Sequence, residues 1–196
     1  MEKPEWYDGK GKEALSQAFI KNVLDSSGYT VKGFGIEQHS QEIIEKIKNI
    51  DYKSETKKKL SSIPDIVVID ENTKEVFLTE VKFQTMSFLS NPVALAYKKM
   101  DDYLQYWRET TLIVTSPSFP YCICVDVNKV DKEKHFKRYQ EGPKGRFELW
   151  DFTTPKVFCF LHEKFPKVTE EKFNNQLHLL GVKDSLGLNF SSLVKE

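Results

Sequence analysis

The chain has no apolar run approaching the roughly 20 residues that a membrane-spanning helix requires, so no membrane partnership is expected. Its opening segment, MEKPEWYDGKGKEAL, lacks the apolar core of a signal peptide, and a cytoplasmic location is the corresponding expectation. Cysteine is scarce. Three residues, an odd number, do not make a disulfide framework and fit a reducing compartment. The four histidines are dispersed. A P-loop, a Rossmann glycine fingerprint and a nucleophile elbow are all missing, as are internal repeats and low-complexity tracts. Net charge is missing too, because 29 Lys and Arg balance 29 Asp and Glu. That balance argues against a general nucleic-acid coat but leaves room for a local basic rim around an acidic site.

What is present is a chain of 196 residues with 39% hydrophobic and 30% charged side chains, enough for a sizeable core and a solvated surface. It reads as one domain over 1–196, with a core over about 9–116 and a C-terminal β/α extension over about 117–196.

The most informative stretch is 63–84, IPDIVVIDENTKEVFLTEVKFQ. Residues 63–70 are apolar and β-branched, Glu71-Asn72-Thr73-Lys74 is turn material, and 75–83 alternates, which predicts a hairpin. Asp65 stands near the start of the first strand. Glu80 and Lys82, two apart, leave the second strand on one face while Val81 points the other way. Folding the hairpin brings Asp65 toward Glu80 at the end away from the turn. Two carboxylates and one ammonium suit a hard divalent cation, for which oxygen ligands are preferred. The structural alternative is a solvated strand face with cross-strand ion pairing.

Pro64-Asp65 followed by Glu80-Val81-Lys82 resembles the signature of the PD-(D/E)XK nuclease superfamily, which includes restriction endonucleases, Holliday-junction resolvases and repair exonucleases. The order of elements is similar as well. A helix over 13 to about 26 carries Leu15, Phe19, Val23 and Leu24 with Ala14 and Ala18 at helical spacing, and Gly28 closes it. A strand over 29–36 follows. The polar, largely helical stretch 38–62 has an apolar stripe at Ile43, Ile44, Ile47 and Ile50. After the hairpin come a helix from Pro92 to about Glu109 and a buried strand at 111–115. The resemblance covers about 9–116, in the order α-β-(insert)-β-β-α-β.

This likeness implies a restriction-endonuclease-like α/β fold, a central mixed β-sheet flanked by helices. It implies Mg²⁺- or Mn²⁺-dependent hydrolysis of DNA phosphodiester bonds. Asp65, Glu80 and the Val81 carbonyl would bind the metal, and Glu13, in the first turn of the first helix, would complete the shell. Glu37 is a rival for that place, and helix-dipole complementation is the structural alternative for Glu13. Lys82 would orient or help deprotonate the attacking water, or stabilise the transition state. Replacing Asp65, Glu80 or Lys82 by Ala would abolish cleavage and leave the fold intact. A structure-selective, resolvase-like enzyme would work as a homodimer. A sequence-specific restriction enzyme, a non-catalytic nucleic-acid-binding or assembly protein on the same fold, and an unrelated α/β protein are the alternatives.

Candidate DNA contacts are Lys57, Lys58 and Lys59, Gln84, Lys98, Lys137 and Arg138. Lys99, Tyr103, Gln105 and Tyr106 are further candidates on the helix after the hairpin. In the last third, 121–127 reads as a strand, 130–146 as a charged segment that includes Lys134, Lys144 and Arg146, and 147–152 and 156–162 as strands. A helix from Thr169 to about Leu180 ends at Gly181. Cys122, Cys124, Cys159 and His162 offer zinc-ligand types, but Cys159 and His162 on an extended segment would face opposite ways, and buried structural cysteines are expected.

Overall fold

The structure is a computed structural model, and it describes residues 10–36, 41–51, 53–84, 87–88, 91–96, 98–116, 122–142 and 145–179. The lead-in before residue 10, Glu37, Tyr97, Tyr121, Lys144, Gly181 and the tail from 182 lie outside the described residues.

Helix α1 (Lys10–Ser26) buries Phe19, Ile20, Val23 and Leu24. Gly28, at φ +88°, ends it in a left-handed conformation that costs a glycine nothing. The Gly28 amide donates to the Asp25 carbonyl and the Tyr29 amide to that of Leu24, a Schellman pair. The buried stripe is narrower than its periodicity suggests, since Ala14 and Ala18 are exposed.

Strand β1 (Thr30–Gly33) and helices α2 (Gln41–Lys48) and α3 (Glu55–Ser61) lead to the hairpin, β2 (Ile66–Asp70) and β3 (Glu75–Phe83). The turn is held by the Asp70 carboxylate, which accepts from the Asn72 and Thr73 amides. Strands β5 (Thr110–Thr115), β6 (Cys122–Asp126) and β9 (Phe158–Phe160) complete a six-stranded sheet in the order β1-β2-β3-β5-β6-β9. Only the β3–β5 pairing is parallel; the other four are antiparallel. The architecture is therefore α/β, with a mixed central sheet flanked by helices.

One face of this sheet packs on α1, α6 (Leu161–Lys164) and α7 (Glu170–Leu179), through Val81, Ile113, Leu161 and Phe173. The other meets Leu112, Val114, Met100 and Tyr103, the last two from α4 (Lys99–Tyr106). Here one expectation needs correction. The helix expected from Pro92 begins instead as strand β4 (Val93–Ala96), and only α4 is helical. Val-Ala-Leu-Ala contains good helix formers, but Val93 and Leu95 alternate with exposed Ala94 and Ala96, and β8 (Gly145–Trp150) pairs alongside. The charged segment after Val130, read in sequence only by its charge, carries regular structure. It forms the short α5 (Lys132–His135) and β7 (Phe136–Gly142), and β4, β8 and β7 make a second sheet. That sheet closes over α4 with fully buried Trp150.

The strand expected over 156–162 stops at Phe160, and His162 lies on α6. Cys124 sits opposite Cys159 in the sheet, all three thiols are unbonded, and Cys122 and Cys124 are core residues. Among the described residues, no helix is long and apolar enough to cross a membrane.

The far edge of the sheet is pinned by Asp126, whose carboxylate lies 2.5 Å from Lys164 Nζ and 3.0 Å from Lys129 Nζ. Burial pushes this carboxyl up, but the two lysines more than offset it and hold it below its ordinary value of 3.8. A depressed carboxyl stabilises the fold above that value and loses the contribution as pH falls through the acid range. Asp126→Asn is expected to cost about 1 kcal/mol at neutral pH, after allowance for partial exposure. In urea denaturation the gap from wild type should be smaller at pH 3 than at neutral pH. A gap equal at both pH values would rule out the ion pairs as its source.

Candidate active site

The β2–β3 register places Ile66 opposite Thr79, so one step further Asp65 stands opposite Glu80. The hairpin's open end is locked by a long-range bond in which the Val81 amide donates to Asp65 Oδ2 at 2.9 Å. Asp65 is further framed by its own carbonyl, which accepts the Phe34 and Gly35 amides. A strand start, a strand interior and the chain beyond β1 thus converge.

Helix α1 reaches this point from the opposite face of the sheet. Fully buried Ser16 is its anchor: the Thr115 hydroxyl on β5 lies 3.0 Å from Ser16 Oγ and 3.2 Å from the Lys82 carbonyl on β3. One turn before Ser16, on the same side of the helix, stands Glu13. Its Oε1 is 2.5 Å from Lys82 Nζ, and that ammonium is also 2.7 Å from Glu80 Oε1. Lys99, at the start of α4, approaches the same Glu80 oxygen at 3.8 Å. The cluster lies at the carboxyl ends of the two parallel strands, where open α/β sheets place their ligands.

Glu80 is 1% exposed. Burial pushes its carboxyl up, yet the Lys82 and Lys99 charges hold it below the usual carboxylate range. For Lys82, burial works against the charge, but Glu80, Glu13 and Asp65 raise it well above the ordinary lysine value. Lys82 is thus an ammonium in this arrangement: a donor of charge and hydrogen bonds and not a base. Tyr103, fully buried on α4, is kept a neutral phenol by burial and by the Glu80 charge.

Glu80 Oε2 and the Tyr103 hydroxyl both lack a well-formed hydrogen bond. The phenol and the carboxylate still act on each other; a buried carboxylate oxygen without a well-aligned donor can take another polar atom or an ion, and hard oxygen donors suit Mg²⁺ or Mn²⁺. The fit is not that of a carboxylate cage. Among the described residues no three His, Cys, Asp or Glu side chains are grouped to hold a metal by themselves. Glu13 meets Lys82 rather than standing beside Asp65 and Glu80.

The candidate DNA contacts divide into groups. Lys57 Nζ is spent on the carbonyls of Lys48 and Ile50, both at 2.6 Å, where it closes the end of α2. Lys58 pairs with Glu55 at 3.0 Å, and Lys59 lies 5.7 Å from the Trp107 ring centre. Glu55 in turn accepts from Gln105 and Tyr106, so those two dock α3 on α4. The charges of Lys99, Lys58 and Lys98 all act on Asp102, whose carboxyl burial nevertheless raises. Asp102 is thus within electrostatic reach of all three lysines. Gln84, whose amide donates to the Thr115 carbonyl at 2.8 Å, has a buried, unpartnered Oε1 at the rim. Lys137 and Arg138 belong to β7 in the second sheet, where Lys137 pairs with Asp151 at 3.3 Å; they do not join the cluster.

Sequence reasoning missed two supports. The Ser16–Thr115 clamp spans 99 positions and has no local signal. Glu148, fully buried on β8, accepts the Lys98 backbone amide and so fixes the left-handed turn (φ +63°) from which Lys99 projects. In sequence, Glu148 reads only as the polar member of an alternating strand.

Compared with family models and with curated proteins, the chain finds no match in either.

Proposed function

We propose that the protein is a metal-dependent deoxyribonuclease of the PD-(D/E)XK kind, with a restriction-endonuclease-like core. One observation carries this reading: Glu13, Asp65, Glu80 and Lys82, drawn from three elements up to 69 positions apart, meet at one end of the parallel β3–β5 pair. Asp65 and Glu80, with the Val81 carbonyl, would hold a Mg²⁺ or Mn²⁺ ion, with Glu13 in support. Such an ion supplies positive charge against the phosphate and acidifies a water nucleophile.

The chain's own residues account for the rest. Lys82, fixed as an ammonium between two carboxylates, presents charge to the non-bridging phosphate oxygens and orients the water by hydrogen bonding. Glu13 aims Lys82. Lys99 adds a second positive charge beside Glu80, and the Tyr103 phenol gives the buried side of the site a neutral donor. Lys98, next to Lys99 in the chain, and Lys58, on the α3 helix docked to α4, would supply a basic rim for the DNA backbone. A resolvase-like, structure-selective enzyme would act as a homodimer, cutting two strands symmetrically.

A second reading, a non-catalytic nucleic-acid-binding module on the same fold, has one observation in its favour. The Lys82 ammonium already bridges Glu13 and Glu80, so much of the cluster's charge is satisfied internally. The test is a panel of linear duplex, single-stranded, flap and four-way-junction DNA, each with Mg²⁺, Mn²⁺ or EDTA. Cutting that requires the metal is the expected result, and the preferred DNA separates resolvase from restriction enzyme. Binding that is unchanged in EDTA, with no cutting of any substrate, would overturn the nuclease reading in favour of the module.

A further inference from the structure

Ala14, Gln17, Ala18, Lys21 and Asn22 recur along one side of α1, and with Asp65 and Ile66 they line a cleft of ≈ 290 Å³. That size is at the lower end for small-molecule sites, which run from roughly 300 Å³ upward, and suits one nucleotide better than a larger group. The cleft shares Asp65 with the reactive cluster, so its occupant would adjoin the bond under attack.

The wall chemistry is specific. Several lysines elsewhere are committed, with Lys82, Lys132, Lys137, Lys164 and Lys167 each paired with a carboxylate. By contrast, Gln17, Lys21 and Asn22 make no side-chain hydrogen bond or ion pair among the described residues. An ammonium with no carboxylate partner serves a phosphate as a point charge. Two uncommitted carboxamides carry both donors and acceptors, as a sugar or a base edge requires. The alanines between them have no core to fill, since Ala14 and Ala18 are exposed. Their small size instead leaves the cleft open.

We infer that this cleft is the subsite for the nucleotide flanking the scissile phosphate. Lys21 neutralises that nucleotide's own phosphate, while Gln17 and Asn22 meet its sugar and base. The assignment rests on the nuclease reading and extends it to a part of α1 that the Asp65–Glu80–Lys82 motif does not include.

The test uses full-length protein and the DNA substrate preferred in the panel above, with steady-state cleavage in Mg²⁺ and binding by fluorescence anisotropy in EDTA across a salt series. Lys21→Ala should weaken binding several-fold and reduce the salt slope by about one. Ala18→Leu, which keeps a good helix former on an exposed position, should fill the cleft. It should raise KM by about 10-fold with kcat changed much less, the pattern of lost uniform binding. Lys74→Gln, at the opposite end of the hairpin, should leave KM and the salt slope as they are. A wild type that cuts, with Lys21→Ala and Ala18→Leu both matching it in KM and salt slope, would overturn the subsite and spare the nuclease reading. A wild type that neither cuts nor binds DNA would overturn both.

Discussion

Glu80→Gln is expected to reduce single-turnover DNA cleavage by about 10³-fold or more, because it removes a charge at the centre of the site without changing its shape. The amide can still accept from Lys82, so the strand and its neighbours have no reason to move. It lacks the negative charge that a divalent cation needs, and it no longer opposes the Lys82 and Lys99 ammoniums. Asp65→Asn should behave alike, since its Oδ1 or Nδ2 position keeps the shape while the charge goes. Glu13→Gln should be milder, about 10-fold, because Glu13 acts on the reaction through Lys82. That ranking distinguishes a catalytic cluster from a structural ion-pair network. Cleavage by purified Glu80→Gln within about tenfold of wild type would sink the assignment of this carboxylate.

The second large effect is on stability. Lys82→Met is expected to cost about 3–5 kcal/mol, the usual penalty for stripping the partner from a buried charge. Glu80 has a side chain only 2% exposed, so without Lys82 it keeps one cation, Lys99 at 3.8 Å, beside the neutral Tyr103 phenol. In the wild type the Glu80 carboxyl lies below its ordinary value and Lys82 above its own, so both charges persist through the neutral range; once Lys82 is gone, burial pushes the Glu80 carboxyl up, and protonation relieves part of the penalty as pH falls. Adding Glu80→Gln to Lys82→Met should recover most of the loss, because the remaining polar group is neutral. Urea denaturation at neutral pH measures the cycle. A Lys82→Met variant within about 1 kcal/mol of wild type would show that the pair behaves as a surface bridge. The expectation from motif alone, that alanine at Lys82 leaves the fold intact, omits this burial. Lys82 variants therefore need a stability check before lost activity is credited to chemistry.

How much of this could be read from residues depends on the range of the interaction. The hairpin was readable because alternation, turn chemistry and the Asp65–Glu80 relation are all local, within 16 positions. Helix α1 and its Gly28 stop follow from periodicity and from the φ that glycine permits. Strand β4 was not readable. Val-Ala-Leu-Ala is an acceptable first turn of a helix, and only β8, more than fifty residues later, makes it a strand. Likewise the charged segment after Val130 looks like a loop until Trp150 and Phe136 pack ring against ring and zip β7 to β8. The Lys cluster at 57–59 looks uniform in sequence, but one ammonium closes a helix end, one pairs with a glutamate and one faces a tryptophan. Composition does not say which lysine is committed; geometry does.

The Ser16–Thr115 contact has a consequence for how the protein is made. Glu13 leaves the ribosome before the hairpin with Asp65, Glu80 and Lys82, and the strand that clamps α1 beside them is finished only at Thr115. Chains emerge at roughly 5–20 residues per second, so for several seconds these side chains exist on a tether without the buttress that aims them. Contacts this distant form late, after loop-closure entropy has been met. A nascent or truncated chain ending before β5 would therefore carry the whole signature and no assembled centre. Under the proposed nuclease function, cleavage of nucleic acid would require the chain to be built and folded through Thr115.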